Sequence, residues 1–192
     1  MGRFFSHDYA GYLFYIFDER IMKTILIESI LSGIWATCFM DLLARFLSGR
    51  GLLYPFIIPE ALGRWFRYML KGKFRHGDIN RTPEIKNEYT WYYVSHYLIG
   101  ILLAGIYLVL AHGFGEILHL IWLAPVFGIL TVSLPWFWLL PSIGLGVMAR
   151  NSAKRYLILR TNFINHTNFG LGLFLWMILF HHIFSETIRM LP

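Results

Sequence analysis

Apolar residues in this chain gather into blocks about twenty residues long, separated by polar and basic stretches, with little strand-like alternation. A helix needs roughly twenty largely apolar residues to cross the hydrocarbon of a bilayer. Four blocks meet that length, at about residues 21–47, 91–111, 117–140 and 163–184. They predict four transmembrane helices. The second and third are joined by the short "HGFGE" segment at 112–116 and form an antiparallel hairpin. Pro125 and Pro135 fall inside the third block and predict a kink or break there.

Between the first two blocks lies "PEALGRWFRYMLK", about 59–71, with Pro59 at a helix start. Leu62, Trp65, Phe66, Met69 and Leu70 recur at helical spacing, while Glu60, Arg64, Arg67 and Lys71 occupy other positions. The pattern predicts an interfacial amphipathic helix lying among lipid head groups, or a short helix packed on the bundle. The fold class is therefore an all-α membrane protein, with four transmembrane helices plus this interfacial helix in the first cytoplasmic loop. A single transmembrane domain covers about 21–185. An aromatic arm precedes it at 1–20, outside and interfacial, and a short tail follows at 186–192.

Composition strengthens the membrane reading: 57% of 192 residues are hydrophobic, 15% are charged, and the aromatic share is 18%. A soluble domain this small could not bury that much apolar surface. Seven Trp and eleven Tyr suit repeated crossings of the head-group belt. A net charge of +6 raises nucleic acid as a partner, but the cations are distributed as a topology signal. Eight Lys or Arg lie between the first and second blocks, five of them in a basic loop at about 71–90, and four lie between the third and fourth, in a basic loop at about 142–161. The 112–116 turn has none. The positive-inside rule places both basic loops in the cytoplasm and both termini outside, in an inner (cytoplasmic) membrane. Membrane lipids are then the expected partners, with no nucleic acid, and a homo-oligomer or a larger membrane complex remains open. Residues 1–20 lack a cleavable signal pattern, since the apolar run at 10–17 is short and ends in Asp18, Glu19 and Arg20. The single cysteine, Cys38, excludes an internal disulfide and a multi-cysteine metal site.

Three ionisable side chains stand near the cytoplasmic ends of three blocks: Asp41, His96 and His166. Each continues a stripe of small residues at intervals of four: Ser29, Gly33, Thr37 before Asp41; Gly100 and Ala104 after His96; Gly170 after His166. Residues four apart share a helix face, and small residues mark the faces where membrane helices touch. The three groups therefore point into the bundle at similar depth, with Thr37 and Asn165 beside them. An ionisable residue there is a functional candidate because burying it in lipid is costly. A purely structural role competes evenly: Asp41 could pair with Arg45, and the histidines could hydrogen-bond neighbouring helices.

Two imidazoles and a carboxylate could also ligate a metal, or the histidines a b-type haem, though no metal-binding spacing supports either cofactor. At the opposite ends, His112, His119, His181 and His182 form a second set of candidate metal ligands, with Glu116 and Glu186 nearby. Interfacial histidines on a wet surface are the commoner explanation of such a set.

Several short motifs occur in a recognisable order: "GIWATCFMDL" at 33–42, "GRW" at 63–65, "GKFRHGDI" at 72–79, "HYLIG" at 96–100, "PSIGLG" at 141–146 and "HTNFGLGLFL" at 166–175. In these the chain resembles the bacterial membrane family catalogued as domain of unknown function 2938, over about residues 33–180. The resemblance implies a small polytopic inner-membrane protein and supplies no activity. It also implies that Asp41, Arg64, His76, His96 and His166 belong to the family pattern. The arm before the first block extends beyond the family's usual start, and Leu140 stands where the family pattern has glutamine. The outer histidines lie outside that pattern. The "GKFRHGDI" motif adds His76 to the inner group, with Lys73 and Arg75 beside it.

These features favour a protein that binds an anionic lipid or amphiphile at the cytoplasmic interface. Arg64, Arg67, Lys73 and Arg75 would hold the head group, while Asp41, His76, His96 and His166 line a pocket. An enzyme acting on such a molecule would use a histidine as general base, though no nucleophile is identifiable. A proton-linked transporter and an accessory subunit of a larger membrane complex are the remaining alternatives.

Overall fold

A computed structural model of the chain describes residues 19–113 and 122–183. Among them there are helices and turns and no strands. Residues 1–18, 114–121 and 184–192 lie outside the described residues, and with them nearly all of the predicted arm, most of the predicted turn at 112–116 and the predicted tail.

Six α-helical segments follow in order: α1 (Glu19–Gly49), α2 (Pro59–Met69), α3 (Glu88–Gly113), α4 (Leu123–Thr131), α5 (Leu140–Ser142) and α6 (Arg155–Leu179). Among the described residues, three stretches are long and apolar enough to cross a membrane: Ile21–Gly49, Glu88–Ala111 and Leu123–Ser142. The fourth predicted span does not join them. Its helix starts at Arg155, well before the expected 163, and Asn162, Asn165, His166, Thr167 and Asn168 make its first half polar. Four membrane-spanning helices are therefore not established. The early start also shortens the second basic loop, because the buried residues Ile158, Thr161 and Asn162 extend the packed face of α6.

α1 packs against α3 and α6, α4 packs against α6, and α2 lies on the start of α3. Two of these crossings depend on glycine. A Cβ at Gly33 would fall on the backbone of Gly100 and Ile101, and one at Gly128 would fall on the backbone of His166 and Gly170. The small-residue stripes thus mark helix contacts, as backbones that approach this closely require. One apolar core fills the space among α1, α3, α4 and α6, centred on Leu108, Leu173 and Met177. A second lies beneath α2 and joins Ala61, Trp65 and Phe66 to Ile79, Leu140, Ile143 and Ile158. Many large apolar side chains elsewhere face outwards, among them Leu26, Leu42, Leu102, Leu130 and Phe137. A soluble monomer rarely exposes apolar surface on that scale.

The third predicted span is interrupted at one of its two prolines. Pro125 sits in the first turn of α4, where a missing N–H costs no helical bond. Pro135 opens a π-helical turn, Pro135–Leu139, which joins α4 to α5. The predicted amphipathic helix is α2. Its buried residues Ala61, Trp65 and Phe66 belong to the second core, so this face serves the bundle and not a lipid surface.

Candidate functional site

At the basic-loop end, two adjoining chambers open between α1, α3, α6 and the Pro135 turn. The deeper one spans about 790 Å³, counting space open to solvent, and is lined by Ile99, Leu103, Leu134, Trp138 and Phe169, with Thr37 among its few polar residues. The wider one encloses about 1650 Å³, part of it open to solvent. Asp41, Arg45, Ser48, Tyr89, Tyr92, Tyr93, Thr161, Asn162 and Asn165 give it a polar lining. Met40, Pro135, Leu139, His96 and His166 border both chambers, so the two imidazoles stand where the chambers adjoin.

Each imidazole is oriented through one ring nitrogen. His96 Nε2 lies 2.9 Å from Asp41 Oδ1, linking α3 to α1. The Tyr92 ring, one turn earlier, stacks on His96 at 5.3 Å between centroids. His166 Nδ1 lies 2.8 Å from Thr131 Oγ1, whose hydroxyl donates to the Gly128 carbonyl at 2.6 Å. A hydroxyl has one proton, so Thr131 can only accept from His166, which fixes His166 as the Nδ1–H tautomer. Asp41 accepts from His96 Nε2–H by the same logic. In the neutral form of each ring, the lone pair is then on Nε2 of His166 and on Nδ1 of His96. Partners of this kind fix ring orientation for proton transfer or ligation.

Of the sequence candidates, Asp41, His96, His166, Thr37 and Asn165 meet here. His76 does not. Its backbone N–H donates to the Ser142 carbonyl at 2.8 Å and its Nδ1 contacts Thr82 Oγ1 at 3.0 Å. Tyr68 packs edge-on against its ring. The "GKFRHGDI" loop is therefore docked on the "PSIGLG" turn: Ile79 N–H also donates to Ile143, and Gly144, at φ +99°, has no room for a Cβ beside Gly77. Burial, and secondarily Lys73, lower the pKa of His76 below the ordinary histidine value.

The proposed head-group cations are also placed elsewhere. Arg64 is buried, with Nε and Nη2 clasping Glu88 at 2.6 and 2.9 Å and Nη1 donating to the carbonyls of Ile79 and Thr82. The Glu88 hydrogen bond raises its pKa against the opposing effect of burial. Four of the five N–H groups of Arg64 are engaged in these hydrogen bonds, and Glu84 lies 3.6 Å from Nη2, so Arg64 serves the scaffold. Arg67 lies over the Trp91 ring at 4.8 Å and Lys73 over Tyr68 at 5.4 Å, and Arg75 is exposed. None of the four borders either chamber; the cation that does is Arg45.

At the other end, His181 Nδ1 lies 2.7 Å from Glu28 Oε1, and His182 is exposed. The side chains of His112 and His119 lie outside the described residues, as do Glu116 and Glu186. Among the described residues, no three His, Cys, Asp or Glu side chains converge as a metal site.

Sequence reasoning missed Glu28, Tyr92 and Thr131, and it named Arg45 only as a partner for Asp41. Glu28 had a usable signal, a lone carboxylate deep in an apolar block. Thr131 had none, because hydroxyls recur throughout membrane helices. No curated protein and no solved structure matches this chain. The family description "Protein of unknown function (DUF2938)" matches residues 30–180, and the chain belongs to that family.

Proposed function

We propose that the protein binds a membrane amphiphile, its tail in the apolar chamber and its head group in the polar one, within a four-span bundle at the cytoplasmic face of an inner membrane. The observation that carries this reading is that His96 and His166 line both chambers. A concave, mostly apolar site with a few convergent polar groups is the usual form of a small-molecule site. Arg45 would meet an anionic group, and the lone-pair nitrogens of the histidines would accept from a hydroxyl.

The test is native mass spectrometry and lipid extraction of protein purified in mild detergent, comparing wild type with His96→Ala/His166→Ala. An amphiphile retained by wild type and lost from the double variant supports the reading. Identical lipid content in both, with the variant folded, would overturn it.

A second reading is favoured by the Asp41–His96 pair, which has the arrangement of a general base oriented by a carboxylate. Conversion of the extracted amphiphile on incubation with the protein, absent in Asp41→Asn, would identify an enzyme.

A further inference from the structure

Glu28 has none of its surface exposed, although it lies within the first membrane span. Its Oε1 accepts from Trp176 Nε1–H at 3.0 Å and lies 2.7 Å from His181 Nδ1. Its Oε2 is buried and has no hydrogen-bond partner. Among the described residues no lysine or arginine pairs with it, and Lys23 of α1 is bound to Glu19. Among the described residues, the titratable groups facing it are His181, just beyond α6, and Tyr107 of α3. His182 stacks obliquely on His181.

A bare carboxylate oxygen in an apolar setting is strongly disfavoured, and a proton is the smallest species that neutralises it. With Nδ1–H donating to Oε1 throughout, His181 can hold that proton on Nε2, giving an imidazolium–carboxylate ion pair, or the carboxyl can hold it on Oε2. Oε1 remains the acceptor for both N–H groups in either arrangement. We infer that Glu28 and His181 form a proton-exchange site inside the membrane, separate from the amphiphile cleft. It takes up a proton on Oε2 and releases it, with His181 as the second holder.

The same helix carries the Asp41–His96 pair thirteen residues on, about 20 Å along the axis. The hydroxyls of Ser32 and Thr37 are buried between them, and Thr37 Oγ1 has no partner. α1 thus bears an acid–imidazole pair towards each end of its membrane span, with buried hydroxyls between them.

The test uses the full-length protein in detergent and in liposomes. Dicyclohexylcarbodiimide, which reacts with protonated carboxyls in apolar surroundings, should modify Glu28, and the modified fraction should fall as pH rises. Infrared difference spectra across a pH jump should show a protonated-carboxyl band that disappears in Glu28→Gln, which preserves the acceptor for Trp176 and His181. His181→Asn, which keeps a donor but cannot titrate, should move the band's midpoint by a pH unit or more. Absence of modification at every pH, or a band that persists in Glu28→Gln, overturns the site. An unmoved midpoint in His181→Asn overturns the pairing. Wild-type and His181→Asn spectra keep the question open to test even if Glu28→Gln misfolds.

Discussion

Arg64 of α2 and Glu88 at the start of α3 form a two-pronged ion pair, Nε to Oε1 at 2.6 Å and Nη2 to Oε2 at 2.9 Å, with both side chains almost fully buried. The same guanidinium donates to the loop carbonyls of Ile79 and Thr82. One side chain therefore fastens α2, the connecting loop and α3 together.

Removing either partner strands the other's charge. Arg64→Met should destabilise the fold by about 3–5 kcal/mol, the usual cost of breaking a buried pair from one side. Glu88→Gln should cost less, because the amide oxygen still accepts from Arg64. Thermal unfolding in a fixed detergent measures both, and equal, negligible shifts would contradict the fastening role.

His76 predicts a pH effect whose sign follows from its environment. Burial first, and Lys73 second, depress its folded pKa, so the folded protein prefers the neutral ring. In the unfolded chain the same histidine takes up a proton near pH 6.5. Below that value the unfolded state binds more protons, so this contribution is present above about pH 6.5 and is lost as pH falls towards the lowered folded pKa. His76→Asn can still donate to Thr82 but does not titrate, and it should flatten the acid limb of the melting-temperature profile. An acid limb that is identical in the variant would refute the assignment.

Gly128 and Gly170 predict a packing defect. A Cβ at Gly128 would meet the Gly170 Cα at 2.5 Å, backbone against backbone, with no flexible side chain to yield. Gly128→Ala should cost about 1–3 kcal/mol, the range for forced overpacking, and should disturb His166, which leans on Thr131 one turn along. Chemical denaturation would report the loss, and wild-type stability would argue against the close crossing.

Thr131 acts on the cleft through His166. Thr131→Val removes the acceptor for His166 Nδ1–H and should weaken amphiphile binding roughly ten-fold, the scale of one unsatisfied donor. Thr131→Ser should restore it. Unchanged retention in Thr131→Val would show that ring orientation does not matter there.

Cys38 is the only cysteine, so Cys38→Ser provides a clean background for mapping topology. Cysteines placed at Lys73 and Lys154 should both react from the cytoplasmic side with a membrane-impermeant maleimide. Reaction from opposite sides would disprove the shared side assigned to the basic loops.

Residue pattern alone determined the all-helical character, the apolar blocks of α1 and α3, the break at Pro135 and the faces on which Gly33, Gly100 and Gly170 make contact. These follow from local rules: block length, ring geometry at proline, and a period of four along a helix. It also brought Asp41, His96 and His166 to one end, because each continues a small-residue stripe. Tertiary structure decided what each polar group faces. Arg64 and His76 share composition and neighbourhood with a head-group site, yet long-range contacts to Glu88 and Ser142 draw them into the scaffold. Thr131 became the anchor of His166, and Glu28 the partner of His181, through pairs 35 and 153 residues apart. No periodicity along one helix can register such a pair, since its geometry exists only once the helices have packed.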